Sequence, residues 1–191
     1  MIPNDKYYDK NYNGSWNGLT IISIAIGQGE VTATPLQIAN LGATIANRGY
    51  FITPHVVKEV EDEALDSLYT TKRYTKVRKE HYETVVQGMR AAVTGGTCRA
   101  ANLPGLDVCG KTGTAQNRGK DHSAFMGFAP MNDPKIAVAV YVENGGWGAT
   151  YGVPIGALIM EKYLTGTLSS QSEMKASDIQ MRRIDYGIHE R

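Results

Sequence analysis

The chain has 191 residues, 42% of them hydrophobic and 20% charged, with 21 glycines, which fits an ordinary globular domain or part of one and excludes a disordered or fibrous chain. Twenty Lys and Arg against 19 Asp and Glu leave a formal charge of +1, so no electrostatic footprint argues for nucleic acid or anionic lipid. The longest apolar runs, Leu19 to Ile26 and Ile136 to Val142, fall short of the roughly 20 residues that span a bilayer, and no signal pattern opens the chain, so it reads as soluble.

In chain order, the first 18 residues, rich in Asn, Asp, Tyr and Gly, read as loop, and Leu19 to Ile26 follows as a buried segment bounded by Gly27-Gln28-Gly29. Thr34-Pro35-Leu36-Gln37 starts a helix: a hydroxyl cap, a proline where no amide bond is lost, and a Gln placed to reach back to the cap. Its apolar stripe is Ile38, Leu41 and Ile45 with Gly42 beside them, and it runs to about Asn47 before Gly49 stops it. Tyr50 to Glu61 looks extended, because Thr53-Pro54 favours the β region and valines follow. The clearest helical period is Tyr82, Val85, Val86, Met89 and Val93, ended by Thr94-Gly95-Gly96, and core packing accounts for it.

Three strand-like runs come next: Asp107 to Ala115, Ser123 to Ala129 and Ile136 to Glu143. The last two flank a turn from Pro130 to Pro134 dense in breakers, and read as an antiparallel hairpin. A final helix starts at Pro154 and buries Ile155, Leu158, Ile159 and Tyr163 before Gly166. The organisation is a folded portion over 1–166 and a polar tail over 167–191 with at most a marginal helix. No internal repeat is present.

Cys98 and Cys109 are too few for a disulfide framework and read as buried small apolar groups, a bridge between them being the alternative. His55, His81, His122 and His189 form no ligand pattern, so neither metal nor cofactor is expected. Asp121 and His122 read as a solvated turn, since neighbours on a strand face opposite ways. The basic cluster Lys72, Arg73, Lys76, Arg78 and Lys79 reads as a solvated face, with an anionic partner as the alternative. Gly27-Gln28-Gly29 is no phosphate loop, because no Lys follows in the required spacing and the nearby helix begins with Pro.

Lys111-Thr112-Gly113-Thr114 falls mid-strand, an odd place for such residues if the strand only packs. A lysine there can hold a fixed positive charge near a hydroxyl nucleophile, the two threonine hydroxyls can bind a carboxylate, and Gly113 lets an extended ligand lie close along the strand. In order along the chain stand Gly27-Gln28-Gly29, Thr34-Pro35-Leu36-Gln37-Ile38-Ala39, Gly110-Lys111-Thr112-Gly113-Thr114-Ala115-Gln116 and Phe125-Met126-Gly127-Phe128-Ala129-Pro130. From about Ile2 to Leu164 this pattern resembles the C-terminal half of the transpeptidase domain of class B penicillin-binding proteins, the elongation type in particular, whose signature set includes KTG.

The resemblance implies an α/β (α+β) fold, with helices packed on a mostly antiparallel sheet, as an incomplete penicillin-binding transpeptidase (β-lactamase-like) fold. It makes Lys111 the lysine that helps position the serine machinery and the substrate carboxylate. Thr112 and Thr114 become the hydroxyls that hold the carboxylate of an acyl-D-Ala-D-Ala stem peptide or a β-lactam, with Gly113 giving the acyl chain room and the Thr114 N–H as an oxyanion-hole donor. The family's SxxK and SxN elements precede its GQG by a long stretch, for which Met1 to Gly27 leaves no room. Ser172-Glu173-Met174-Lys175 and Ser15-Trp16-Asn17 match those patterns formally but in the wrong order, and read as chance.

The expectation is therefore a piece of a peptidoglycan D,D-transpeptidase of the periplasmic face of the bacterial inner membrane, inactive alone because the N-terminal half of its domain carries the nucleophile. Two sheet strands would belong to that half, leaving the edge at Ile136 to Glu143 unpaired and open to self-association or to coverage by the tail. Apolar surface such as Leu19 to Ile26 would be left uncovered with it. The rival readings are a stand-alone, non-catalytic module that binds D-Ala-terminated peptides or a protein partner, and a structural subunit with a vestigial KTG.

Overall fold

Asn4 makes a helix of the N-terminal stretch that reads as loop: its side chain accepts the Tyr7 N–H at 3.0 Å and caps α1 (Asp5–Tyr12), which Asn13 closes in the left-handed conformation. The structure is a computed structural model that describes residues 2–184, so His189 and the end of the tail lie outside the described residues. Two units divide between Thr34 and Pro35.

In the first unit, Asn17 caps α2 (Gly18–Ala25), accepting the Leu19 N–H while its own N–H donates to the Thr20 hydroxyl. The buried segment expected at Leu19 to Ile26 is thus a helix, and Leu19, Ile22 and Ile26 are exposed. They share one face by helical spacing, and the described residues of this unit leave that face exposed. Its packing centres instead on Tyr8, whose ring meets those of Tyr7, Tyr12 and Trp16. The Tyr8 and Tyr12 hydroxyls both donate to the Glu30 carboxylate just past the Gly27 and Gly29 turns.

The second unit opens with α3 (Pro35–Ala46), which ends where Arg48 and Gly49 take positive φ and the Gly49 N–H bonds the Thr44 carbonyl at 2.9 Å. Its inward residues are Gly42, Ile45 and Ala46; Leu41, expected in the stripe, is exposed. Gly42 sets this orientation by letting the helix approach Met126, 3.2 Å from where a Cβ would sit. The extended run expected from Tyr50 to Glu61 is a strand only at β1 (Tyr50–Phe51), with a bridge between Val60 and Glu63. Pro54 can donate no ladder hydrogen bond in that run. After α4 (Ser67–Thr70), β2 (Arg73–Tyr74) pairs antiparallel with β1. Helix α5 (Lys79–Thr94) buries Tyr82, Val86, Met89 and Val93 as its period requires, while Val85 on the flank stays exposed.

A 3-10 turn (Arg99–Ala101) leads to the antiparallel sheet of β3 (Cys109–Ala115), β4 (His122–Ala129) and β5 (Ile136–Val142), in that spatial order. Alternation along the strands divides the core in two. Phe125, Val138 and Val140 face Val153, Ala157 and Met160 of α6 (Gly152–Thr165), whereas Cys109, Phe128, Met126 and Ala137 face α3 and α5. Both cysteines are free and fully buried, as the thiol reading expects and the bridge alternative does not.

The α6 face differs from the expected one, since Ile159 and Tyr163 are exposed and Gly152, Val153, Gly156, Ala157 and Met160 are buried. Small residues win the contact because the helix lies directly on Phe125: a Cβ on Gly156 would fall 2.4 Å from its ring. The tail also departs from expectation, forming helix α7 (Ser170–Met181) under a Ser169 cap, with Ser172 buried. Among the described residues β5 pairs with β4 only, and α7 adds no strand to it.

Candidate active site

Strand β3 is an edge strand, paired with β4 on one side and with no strand on the other among the described residues. An edge strand offers backbone donors and acceptors to an extended ligand. On it, Lys111 stands opposite Met126, Thr112 opposite Phe125, Gly113 opposite Ala124 and Thr114 opposite Ser123. The strand pleat puts Thr112 and Thr114 on one face and Lys111 with Gly113 on the other. The four expected site residues are therefore contiguous, with Lys111 and Thr114 exposed and the two between them half-buried. The Lys111 Nζ donates to the Thr112 carbonyl at 2.7 Å.

Residues that the sequence reading passed over hold this strand end. The buried Ser123 hydroxyl donates to the Trp147 carbonyl at 2.8 Å and accepts the Gly152 N–H at 3.0 Å, tying the loop after β5 to the sheet. That loop lays Gly148 on β3, its N–H donating to Thr114 Oγ1 at 3.4 Å. Only glycine fits there, since a Cβ would lie 2.6 Å from both the Gly113 and Ala124 carbonyl oxygens. Across the strand, Thr97 Oγ1 lies 2.9 Å from Thr112 Oγ1, and Cys98 is buried beside them. Burial pushes the Cys98 thiol up, against the Thr97 and Thr112 hydrogen bonds and the Lys111 charge, which pull it down. Burial likewise pushes Cys109, at the base of the strand, up to about 11. The signals available in the sequence were the Gly145-Gly146 and Gly95-Gly96 pairs, which mark chain passing close to other backbone.

His122, expected in a solvated turn, opens β4, and its Nδ1 accepts the Asn144 N–H at 3.0 Å. The strand ladder from Ala115 reaches its backbone, and its ring lies 5.3 Å from that of Tyr141. Ser172 is 1% exposed and belongs to the contact of α7 with Glu161, whose carboxylate accepts the Ser169 N–H at 3.1 Å. Asn17 of the formal SxN is the α2 cap already described. Lys72, Arg73, Lys76, Arg78 and Lys79 are exposed, Lys72 lying 4.5 Å over the Tyr50 ring and Arg78 pairing with Glu80 at 3.1 Å. No cluster of potential metal ligands occurs, and no helix is long and apolar enough to cross a membrane, among the described residues.

A cleft of about 580 Å³ adjoins the site, lined by Met89, Ala92, Thr97, Lys111 and Met126 among others. A larger one of about 670 Å³, between Leu36 and the segment from Pro54 to Tyr69, includes no β3 residue and is not part of the site.

Residues 5–163 match the family described as the penicillin binding protein transpeptidase domain. The peptidoglycan D,D-transpeptidase MrdA of Haemophilus influenzae is 32% identical over 189 residues, covering 87% of this chain and 29% of its own length. Among solved structures, Pseudomonas aeruginosa PBP2 in complex with WCK 5153 superposes with a TM-score of 0.70 at 35% identity, over 88% of this chain and 38% of that one. Penicillin-binding protein A of Mycobacterium tuberculosis, as its penicillin G acyl-enzyme complex, gives 0.61 at 32% identity over 74% of this chain and 34% of its own. The chain thus spans less than two fifths of each of these proteins.

Proposed function

We propose, since this chain belongs to the penicillin binding protein transpeptidase domain family, that it supplies the carboxylate-binding strand of a peptidoglycan D,D-transpeptidase site. The observation that carries this is the placement of Lys111, Thr112, Gly113 and Thr114 on an unpaired sheet edge, with both threonine hydroxyls on one face. An acyl-D-Ala-D-Ala stem peptide would lie antiparallel along that edge. Its terminal carboxylate would receive the Thr112 and Thr114 hydroxyls near the Lys111 charge, with room over Gly113 and the Thr114 N–H aimed at the carbonyl oxygen.

In the complete site, a serine hydroxyl attacks the penultimate carbonyl carbon. The new ester bond forms as the C–N bond to the last D-Ala breaks, and the serine proton ends on the departing amine. A β-lactam follows the same path, but its ring nitrogen stays tethered, so the acyl-enzyme persists. Neither Ser123 nor Ser172 suits that attack beside Lys111. Ser123 gives its proton to Trp147, and Ser172 is buried on α7. By itself the chain binds the carboxylate without forming an acyl-enzyme, and its catalytic partner is the N-terminal half of the same domain.

Labelling with a fluorescent penicillin followed by intact mass, on this chain and on Lys111→Ala, tests the reading. No covalent adduct is expected in either. A stoichiometric adduct that Lys111→Ala abolishes would show a nucleophile within these 191 residues and overturn the division of labour.

A further inference from the structure

We propose that Thr97, on the turn after α5, is a positioning residue that directs the Thr112 hydroxyl proton toward a ligand carboxylate. The inference rests on reading Lys111 to Thr114 as a carboxylate-binding strand. A threonine hydroxyl carries one proton and two lone pairs, and a carboxylate only accepts. Thr112 can serve a carboxylate only by giving it that single proton, so the Thr97 contact at 2.9 Å must then run from Thr97 to Thr112. If it ran the other way, Thr112 would meet the ligand with lone pairs facing lone pairs.

Cys98, next in the chain, is fully buried beside the two hydroxyls. The donor line therefore runs from Thr97 through Thr112 to the ligand.

The mounting is rigid. The Gly95 N–H bonds the Ala91 carbonyl at 3.0 Å, and the Gly96 and Cys98 N–H groups bond that of Ala92 at 3.1 and 2.9 Å. Gly96 presses on that same turn, where a Cβ would lie 2.8 Å from Ala92 Cα. The turn is thereby fastened to α5, whose buried face packs against the sheet. Thr97 is itself exposed and lines the 580 Å³ cleft together with Lys111.

The test is an NMR titration of the full chain with an acetylated peptide ending in D-Ala-D-Ala, as the free carboxylate and as the C-terminal amide. Thr97→Val should weaken carboxylate binding by about tenfold and leave amide binding unchanged, with Thr97→Ser restoring the wild-type affinity. Thr97→Ala gives the same reading should valine crowd the turn. An equal loss for both peptides would assign Thr97 a merely structural role and overturn the proposal. Loss in Thr112→Val with none in Thr97→Val would overturn it too, leaving the carboxylate reading intact. A wild-type chain that binds neither peptide, or both alike, would overturn that reading and Thr97 with it.

Discussion

Two short patterns in this chain look equally persuasive as letters and could hardly differ more as structure. Lys111-Thr112-Gly113 runs along a strand edge that no other strand covers among the described residues, and Lys111 lines a cleft. Ser172 and Lys175 sit three residues apart on α7, with Ser172 sealed against α6. The charge partners differ as well. Lys175 adds to the field on Glu161, whose carboxyl burial raises but the Ser172 and Ser169 hydrogen bonds and Lys175 together lower more, so that it ends below its ordinary value. A motif can serve as a site only where a ligand can still reach its polar groups, and on α7 the Ser172 side chain is buried in holding a helix down.

Substitutions that act on one region and spare the other sharpen this contrast. Gly148→Ala should have the largest effect, about 2–4 kcal/mol, because its Cβ would strike two backbone carbonyls of the sheet. Thermal unfolding reads the loss, and amide shifts at residues 111–114 should move while those of α7 stay; an unchanged melting temperature would show that the loop does not clamp the strand.

The two regions also answer to opposite ends of the pH scale. Cys109 is raised from 9.0 to about 11, so between those values the native chain holds a proton that the unfolded chain has lost. Stability should therefore fall as pH rises through that window, by about 2–3 kcal/mol in full, and Cys109→Ala should flatten the slope in alkaline denaturation curves. Glu161 has the reverse sign. Its carboxyl is lowered from 4.5, so its contribution is present above that value and disappears as pH falls through the lowered one. Amide protection factors in α7 should fall in acid before those of β3, and Glu161→Ala should cost about 1–3 kcal/mol at neutral pH. Ser172→Ala should be the mildest, near 1 kcal/mol, with no change in penicillin labelling.

The three strands of the larger sheet, the KTG strand among them, and the helix of Tyr82 to Val93 were legible because each is dictated by local periodicity or by a motif whose spacing is its own evidence. What sequence missed follows from contacts it does not display. Ile159 and Tyr163 offer far more apolar area than glycine, yet Phe125 selects Gly152 and Gly156 for its own bulk. Leu19 to Ile26 is apolar enough for a core, but its cover is not written in its own letters. Thr97 is unremarkable in sequence and gains meaning only when the turn after α5 meets Thr112, 15 positions further on. The short helices α1 and α7 were signalled faintly by Asn4 and Ser169, since a single cap carries little weight against a polar composition.

Trp147 gives the site an optical handle of its own. The sequence holds two tryptophans, Trp16 with its indole N–H bonded to Asp9 at 2.7 Å and Trp147, 75% exposed and adjacent to the glycine that contacts Thr114. In a Trp16→Phe chain all indole emission would come from the rim of the KTG strand. Ligand arrival there would then be read as a change in the colour and lifetime of the protein's own fluorescence, with no label attached.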